Sequence, residues 1–131
     1  MRVLIVDDSA MVAERVTAML ASLPEKVELI GQARDAAEAI AAVQALKPDA
    51  VILDIRIPGG SGFDILQAIK KDRPDTIVMM LTNYPYPQYR QKSLEEGADF
   101  FFDKSTEFDQ VPAVFQQLIR DTRFRSGLST Q

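Results

Sequence analysis

Ala50-Val51-Ile52-Leu53-Asp54 is the stretch on which the reading of the fold turns. Its short apolar run ends in a charge, and Pro58, Gly59 and Gly60 follow closely. A run bounded in this way reads as a strand buried on both faces. Such strands belong to parallel sheets covered by helices on both sides. In open sheets of that kind, ligands gather outside the carboxyl ends of the strands. Asp54 therefore stands where chemistry is done. A carboxylate there requires water, a partner or a cation.

The same signature recurs on either side. Val3 to Val6 is a strand that ends in Asp7-Asp8, and Ser9 is placed to cap the helix after it. That helix carries Val12, Val16, Met19, Leu20 and Leu23 at helical spacing and is expected to close at Pro24. Val27 to Ile30 reads as a strand stopped by Gly31. Asp35 and Glu38 then form a capping-box-like start to an alanine-rich helix through Leu46. Beyond Asp54, Gly62 opens a helix with Phe63, Leu66 and Ile69 on one face, and Arg73-Pro74-Asp75 ends it. Thr76 to Leu81 is the fourth strand and leads into Thr82.

Two prolines in Tyr84-Pro85-Tyr86-Pro87-Gln88-Tyr89 mark a loop and a helix start. Gly97 stops that helix. Phe100 to Phe102 is the fifth strand, with Asp103-Lys104 at its end. Pro112 fits only the first turn of the last helix, which is expected to start near Asp109 and to fade from about Thr122 into a polar tail. The tyrosine-rich segment is read as a rigid loop packed on its own domain or as a partner surface. Strands alternating with helices imply a parallel sheet with helices on both faces. The expected fold is α/β, a doubly wound five-stranded sheet in the order 2-1-3-4-5.

Composition narrows the function. At 131 residues and 47% hydrophobic content, the chain is expected to form one globular domain with a proper core. With 15 basic and 19 acidic residues the net charge is −4, which argues against direct nucleic-acid binding. Cysteine and histidine are both missing, so thiol chemistry, zinc sites and phosphohistidine are excluded. No signal peptide and no apolar run of the roughly 18 residues that span a membrane are present, so a cytoplasmic protein without membrane insertion is expected.

A parallel sheet gathers its strand ends on one edge. Asp7, Asp8, Asp54, Thr82 and Lys104 therefore converge there. Carboxylates packed together repel and call for a cation. Oxygen ligands without histidine or cysteine suit Mg²⁺, with Mn²⁺ as the alternative. A hydroxyl and an ammonium beside such a cation suit a tetrahedral dianion. Asp54 is the candidate nucleophile, since a carboxylate can form an acyl phosphate. Taken singly, each residue has a plainer reading as turn former, cap, strand-end hydroxyl or solvated charge. The combination at separate strand ends is what carries the inference.

From Met1 to about Arg120 the chain resembles the receiver domain of bacterial two-component response regulators, in its single-domain, chemotaxis-regulator-like form. The resemblance rests on Asp7-Asp8, Asp54, Pro58, Gly62, Thr82 and Lys104 in their places after the strands. It implies a flavodoxin-like (βα)5 receiver domain over residues 1–122 and a polar tail over 123–131. It also implies that Asp54 accepts a phosphoryl group from a sensor histidine kinase or phosphotransfer protein. Mg²⁺ would be held by Asp8 and Asp54, by Asp7 through water and by the Arg56 carbonyl. Thr82 would hydrogen-bond the phosphoryl group, Lys104 would pair with it, and Phe101 would stand at the aromatic switch position. The face made by the fourth helix, fifth strand and fifth helix would then change shape for an output protein the sequence does not name. The protein would be a monomer or a phosphorylation-linked dimer. It would be no enzyme beyond catalysing its own phosphorylation and dephosphorylation.

Five positions depart from the family's common pattern. Ser105 follows Lys104 where proline is frequent, Phe101 replaces a frequent tyrosine, Asn83 replaces a small residue, and Arg56 and Tyr84 are bulky where phosphoryl loss is tuned. The alternative is a receiver-like interaction module that works without phosphorylation. A haloacid-dehalogenase-type phosphatase is disfavoured because its acidic pair is spaced rather than adjacent. A flavin mononucleotide carrier is disfavoured because Asp7-Asp8 would repel its phosphate. No room is expected after Arg120 for a helix-turn-helix, which points to a stand-alone regulator or an excised receiver.

Overall fold

The computed structural model describes residues 1–23 and 27–129, with side chains described as far as Asp121. Five parallel strands form one sheet: β1 (Arg2–Val6), β2 (Glu28–Ala33), β3 (Ala50–Leu53), β4 (Ile77–Thr82) and β5 (Phe100–Asp103). Their order across the sheet is β2-β1-β3-β4-β5, the doubly wound order expected from the sequence. The helices are α1 (Ala10–Ala21), α2 (Ala36–Leu46), α3 (Gly62–Asp72), α4 (Pro87–Glu95) and α5 (Val111–Ser129).

Alternation along the strands builds two cores. Leu4, Val6, Val51, Leu53, Val78, Met80 and Phe101 face α2 and α3. Val3, Ile5, Ala50, Ile52, Met79 and Leu81 face α1 and α5, where Val16, Leu20, Val111 and Phe115 meet them. Ala50 to Leu53 is buried at every position, as a central parallel strand requires. Each such aliphatic side chain contributes about 1.5–3 kcal/mol on leaving water.

The predicted caps form. Ser9 Oγ accepts from the Val12 N–H at 3.2 Å, and Asp35 Oδ1 accepts from the Glu38 N–H at 2.8 Å. Gly97 takes φ 103° after α4, and Pro112 lies in the first turn of α5. Pro24 lies outside the described residues.

Three details differ from the sequence reading. Gly31 does not end β2, which continues to Ala33. The register against β1 shifts there, Val3 pairing with Leu29 but Leu4 with Gly31. A glycine inside a strand marks such a bulge as readily as an end. Arg56–Ile57 and Gly60–Ser61 pair as a short antiparallel ladder across Pro58-Gly59. Gly59 adopts φ 80°, the left-handed conformation that the residue after proline takes in a type II turn. The backbone of α5 stays helical to Ser129, past the point where the apolar pattern fades. Each further helical residue closes one more hydrogen bond without fresh nucleation.

Candidate functional site

The sheet delivers Asp7, Asp54, Thr82 and Lys104 to one edge, as the strand-end reading requires. The Asp54 N–H donates to the Val6 carbonyl at 3.0 Å, and the Lys104 N–H to that of Thr82 at 2.8 Å. These bonds carry the ladder one residue beyond the strands. All four residues are buried, whereas Asp8 is exposed.

Lys104 is the hub. Its Nζ lies 2.6 Å from Asp7 Oδ2 and 2.7 Å from Asp54 Oδ2. The cation that the carboxylates call for is thus supplied first by the protein itself. One ammonium between two carboxylates leaves an excess negative charge. Burial, the largest influence on Asp7, raises its carboxyl above the ordinary 3.8, against the opposing pull of Lys104 and the Ser9 N–H. Burial alone would lower Lys104. Its hydrogen bonds to Asp54 and Asp7, with their charges, outweigh burial and hold it above 10.5.

Asp7 Oδ1 accepts from the Ser9 N–H at 2.9 Å, which ties the site to the start of α1. Asp54 Oδ1 is buried and has no hydrogen-bond partner. Such an oxygen carries an unmet demand for a donor or a cation. The hard-oxygen donor set fits Mg²⁺, which is ordinarily held by one or two carboxylates plus phosphoryl oxygens. Among the described residues, no three carboxylates stand close enough to enclose an ion by themselves. The sequence reading packed three carboxylates together, whereas Asp8 faces solvent and stands apart from the buried Asp7 and Asp54.

The remaining expected residues lie around this centre. Thr82 is fully buried, and its Oγ1 accepts from the Tyr84 N–H at 3.1 Å. A hydroxyl that accepts on one side retains a proton to donate on another. Arg56 is exposed, and its guanidinium stacks over the Tyr84 ring at 3.9 Å. Phe101 is turned into the core, 4% exposed, with the Arg90 guanidinium 5.0 Å from its ring centroid. Tyr89 packs edge-on against Phe63 at 5.7 Å, while Tyr86 beside it is 49% exposed. Tyr89 thus packs on its own domain as the first reading expects, while Tyr86 is half exposed beside it.

The sequence reading overlooked the turn after β5. Asp103 Oδ1 accepts from the Ser105 N–H at 2.8 Å and Oδ2 from the Thr106 hydroxyl at 3.1 Å. The signal was present: an Asp followed by Ser and Thr two and three positions on is an Asx-turn pattern. No cis peptide occurs among the described residues, so the Lys104–Ser105 bond is trans.

Comparison with known proteins agrees with this fold. A family model described as the response regulator receiver domain matches residues 3–116. A protein-glutamate methylesterase/protein-glutamine glutaminase of Geobacter sulfurreducens is 36% identical over 124 residues, 93% of this chain and 33% of that protein. Another from Rhizobium johnstonii is 48% identical over 81 residues, 62% of this chain and 23% of that protein. The chain thus spans only a quarter to a third of these curated relatives. Among solved structures, the response regulator domain of Thermotoga maritima CheB superposes with a TM-score of 0.78 at 32% identity, covering 92% of this chain and 94% of that one. A CheY-like receiver domain protein from Methanospirillum hungatei gives 0.76 at 25% identity, covering 98% and 97%.

Proposed function

This chain belongs to the response regulator receiver domain family, and from that premise we propose that it is a phosphoacceptor module of a two-component system with Asp54 as the acceptor. The observation that carries the reading is Asp54 Oδ1, a buried carboxylate oxygen without a partner, beside an ammonium that holds the other oxygen. A carboxylate oxygen attacks phosphorus, the bond from phosphorus to the donor breaks, and an acyl phosphate remains on Asp54. Catalysis of that transfer is positioning and charge neutralisation. Lys104 neutralises charge on the transferred group, and the Thr82 hydroxyl donates to one of its oxygens. Asp8, Asp54 and the Arg56 carbonyl would hold Mg²⁺, with Asp7 acting through water. The bound ion would offset repulsion between the attacking carboxylate and the incoming dianion.

The donor is a sensor histidine kinase or a phosphotransfer protein, and the site of action is the cytoplasm. The chain catalyses its own phosphorylation and dephosphorylation only. Phosphorylation adds charge and acceptor oxygens beside Thr82. Drawing the hydroxyl toward them releases the Tyr84 N–H that it now accepts from, so the event reaches the start of α4 and the face made by α4, β5 and α5. That face is read by an output protein or a second copy.

The test is intact mass after incubation with acetyl phosphate and Mg²⁺, beside Asp54→Ala. Wild type is expected to gain one phosphoryl group and the variant none. A second reading, an interaction module that works without phosphorylation, is favoured by Phe101 already lying in the core. Folded wild type that gains no mass would select it.

The stack of Arg56 on Tyr84 bridges the segments that follow β3 and β4. It shields the acyl phosphate from water. The Arg56→Ala, Tyr84→Ala double variant is expected to lose its phosphoryl group several-fold faster, followed by mass after the donor is removed. An unchanged lifetime would refute the shielding.

A further inference from the structure

Lys104 must place one ammonium between two carboxylates from the first residue after a strand, and a long flexible side chain does not do this unaided. Freezing such a chain costs rotamer entropy. Its backbone must at least be rigid. We propose that Asp103 is a positioning residue for Lys104: its carboxylate and backbone fold residues 103–107 into the turn that aims the ammonium at Asp54.

Every polar group of Asp103 has a partner that serves this turn. Oδ1 accepts from the Ser105 N–H at 2.8 Å and Oδ2 from the Thr106 hydroxyl at 3.1 Å. The Asp103 carbonyl accepts from the Glu107 N–H at 2.8 Å. In return the Asp103 N–H donates to Glu107 Oε1 at 3.0 Å. Lys104 is thus fixed on both sides, by the clamped turn after it and by its own N–H on the Thr82 carbonyl. The same Glu107 oxygen lies 3.5 Å from Arg90 Nη2. Arg90 belongs to α4 and sits over Phe101. The clamp therefore touches both the reacting edge and the helix proposed to change on phosphorylation.

A merely electrostatic role predicts a different result. The Asp103 carboxylate adds negative charge near an incoming dianion, so removing that charge alone would speed phosphorylation. A positioning role predicts slowing that depends on the hydrogen-bond acceptor rather than on the charge. Asp103→Asn and Asp103→Ala remove the same charge, but only the asparagine keeps an oxygen for the Ser105 N–H.

The experiment uses the full chain with acetyl phosphate and Mg²⁺ and measures the initial rate of phosphorylation by mass. Asp103→Ala is expected to be roughly tenfold slower, the scale of a misplaced reacting group. Asp103→Asn should stay within about threefold of wild type, the scale of one neutral hydrogen bond. The second readout is the ¹⁵N–¹H resonance of the Lys104 ammonium, whose protons exchange slowly while two carboxylates hold it. It should fade in Asp103→Ala and persist in Asp103→Asn. Wild-type rate with an intact resonance in Asp103→Ala would overturn the proposal, as would equal slowing in both variants.

If Asp103→Ala does not fold, Glu107→Ala decides, because it frees the Asp103 N–H and leaves the Asp103 side chain in place. Slowing with a weakened resonance supports the clamp, and wild-type behaviour overturns it. The rate arm rests on the phosphoacceptor reading and the resonance arm does not. A wild type that takes no phosphoryl group would sink that reading while the resonance still decides the clamp.

Discussion

Gly62→Ala is expected to destabilise the fold by about 3 kcal/mol or more and to remove most phosphorylation of the protein that remains folded. Gly62 opens α3 immediately behind the Asp54 segment, and its N–H donates to the Ile55 carbonyl at 2.6 Å. A Cβ on Gly62 would overlap the Asp54 carbonyl oxygen and lie 2.8 Å from Ile55 Cα and 2.9 Å from the Asp54 carbonyl carbon. These are backbone atoms, which cannot swing aside as the end of a side chain can. Relief must come from moving α3 or from moving Asp54 away from Lys104. Gly31→Ala is the matched control. Its Cβ would meet only Leu4 Cδ1 at 3.7 Å and Leu46 Cδ1 at 3.9 Å, which is ordinary contact. Denaturant midpoints for both variants, with mass after acetyl phosphate treatment, check the expectation. A Gly62→Ala protein as stable and as reactive as wild type would show that α3 does not set the position of Asp54.

Lys104→Met is the second large effect. Methionine matches much of the buried stem but leaves Asp7 and Asp54 without their shared ammonium. Removing one partner from a buried ionic group costs about 3–5 kcal/mol. Without Mg²⁺ a loss on that scale is expected, because two buried carboxylates then face each other with no cation between them. Phosphorylation should fall about 100-fold, the scale for one lost preorganised donor to a developing anion.

The pH dependence of stability separates the groups. Lys104 is raised above 10.5 in the fold, so its contribution is complete below that value and is lost as the pH rises through its folded value. Asp7 is raised above 3.8, so the native state binds the extra proton, and stability falls as the pH climbs from 3.8 through its folded value. The deficit of Lys104→Met should therefore shrink in acid, as Asp7 takes up its proton, and shrink again in strong alkali, where wild type loses the ammonium. Unfolding curves across that range are the measurement. A deficit that does not vary with pH would mean that the lysine stem, rather than its charge, holds the site.

The tyrosine-rich segment marks the limit of periodicity. Tyr84, Tyr86 and Tyr89 look alike in the chain, yet one stacks under Arg56, one is half exposed and one packs on Phe63. Pro85 and Pro87 announce a rigid stretch but not the direction in which each ring points. Gly31 shows the same limit in the backbone. A glycine is consistent with a strand end or a bulge, and only pairing with β1 decides between them.

What the sequence by itself determined is the sheet, its order and the convergence of Asp7, Asp54, Thr82 and Lys104. Those follow from short apolar runs, from the alternation of strands with helices and from the rule that parallel strands end on one edge. What only the tertiary structure decided is who partners whom at that edge. Asp7 and Asp8 are adjacent and chemically identical, yet one is buried on Lys104 while the other faces solvent. Successive residues leaving a strand point to opposite sides. Which side is interior depends on the sheet, the helix and the lysine assembled around them, and on no property of either aspartate alone.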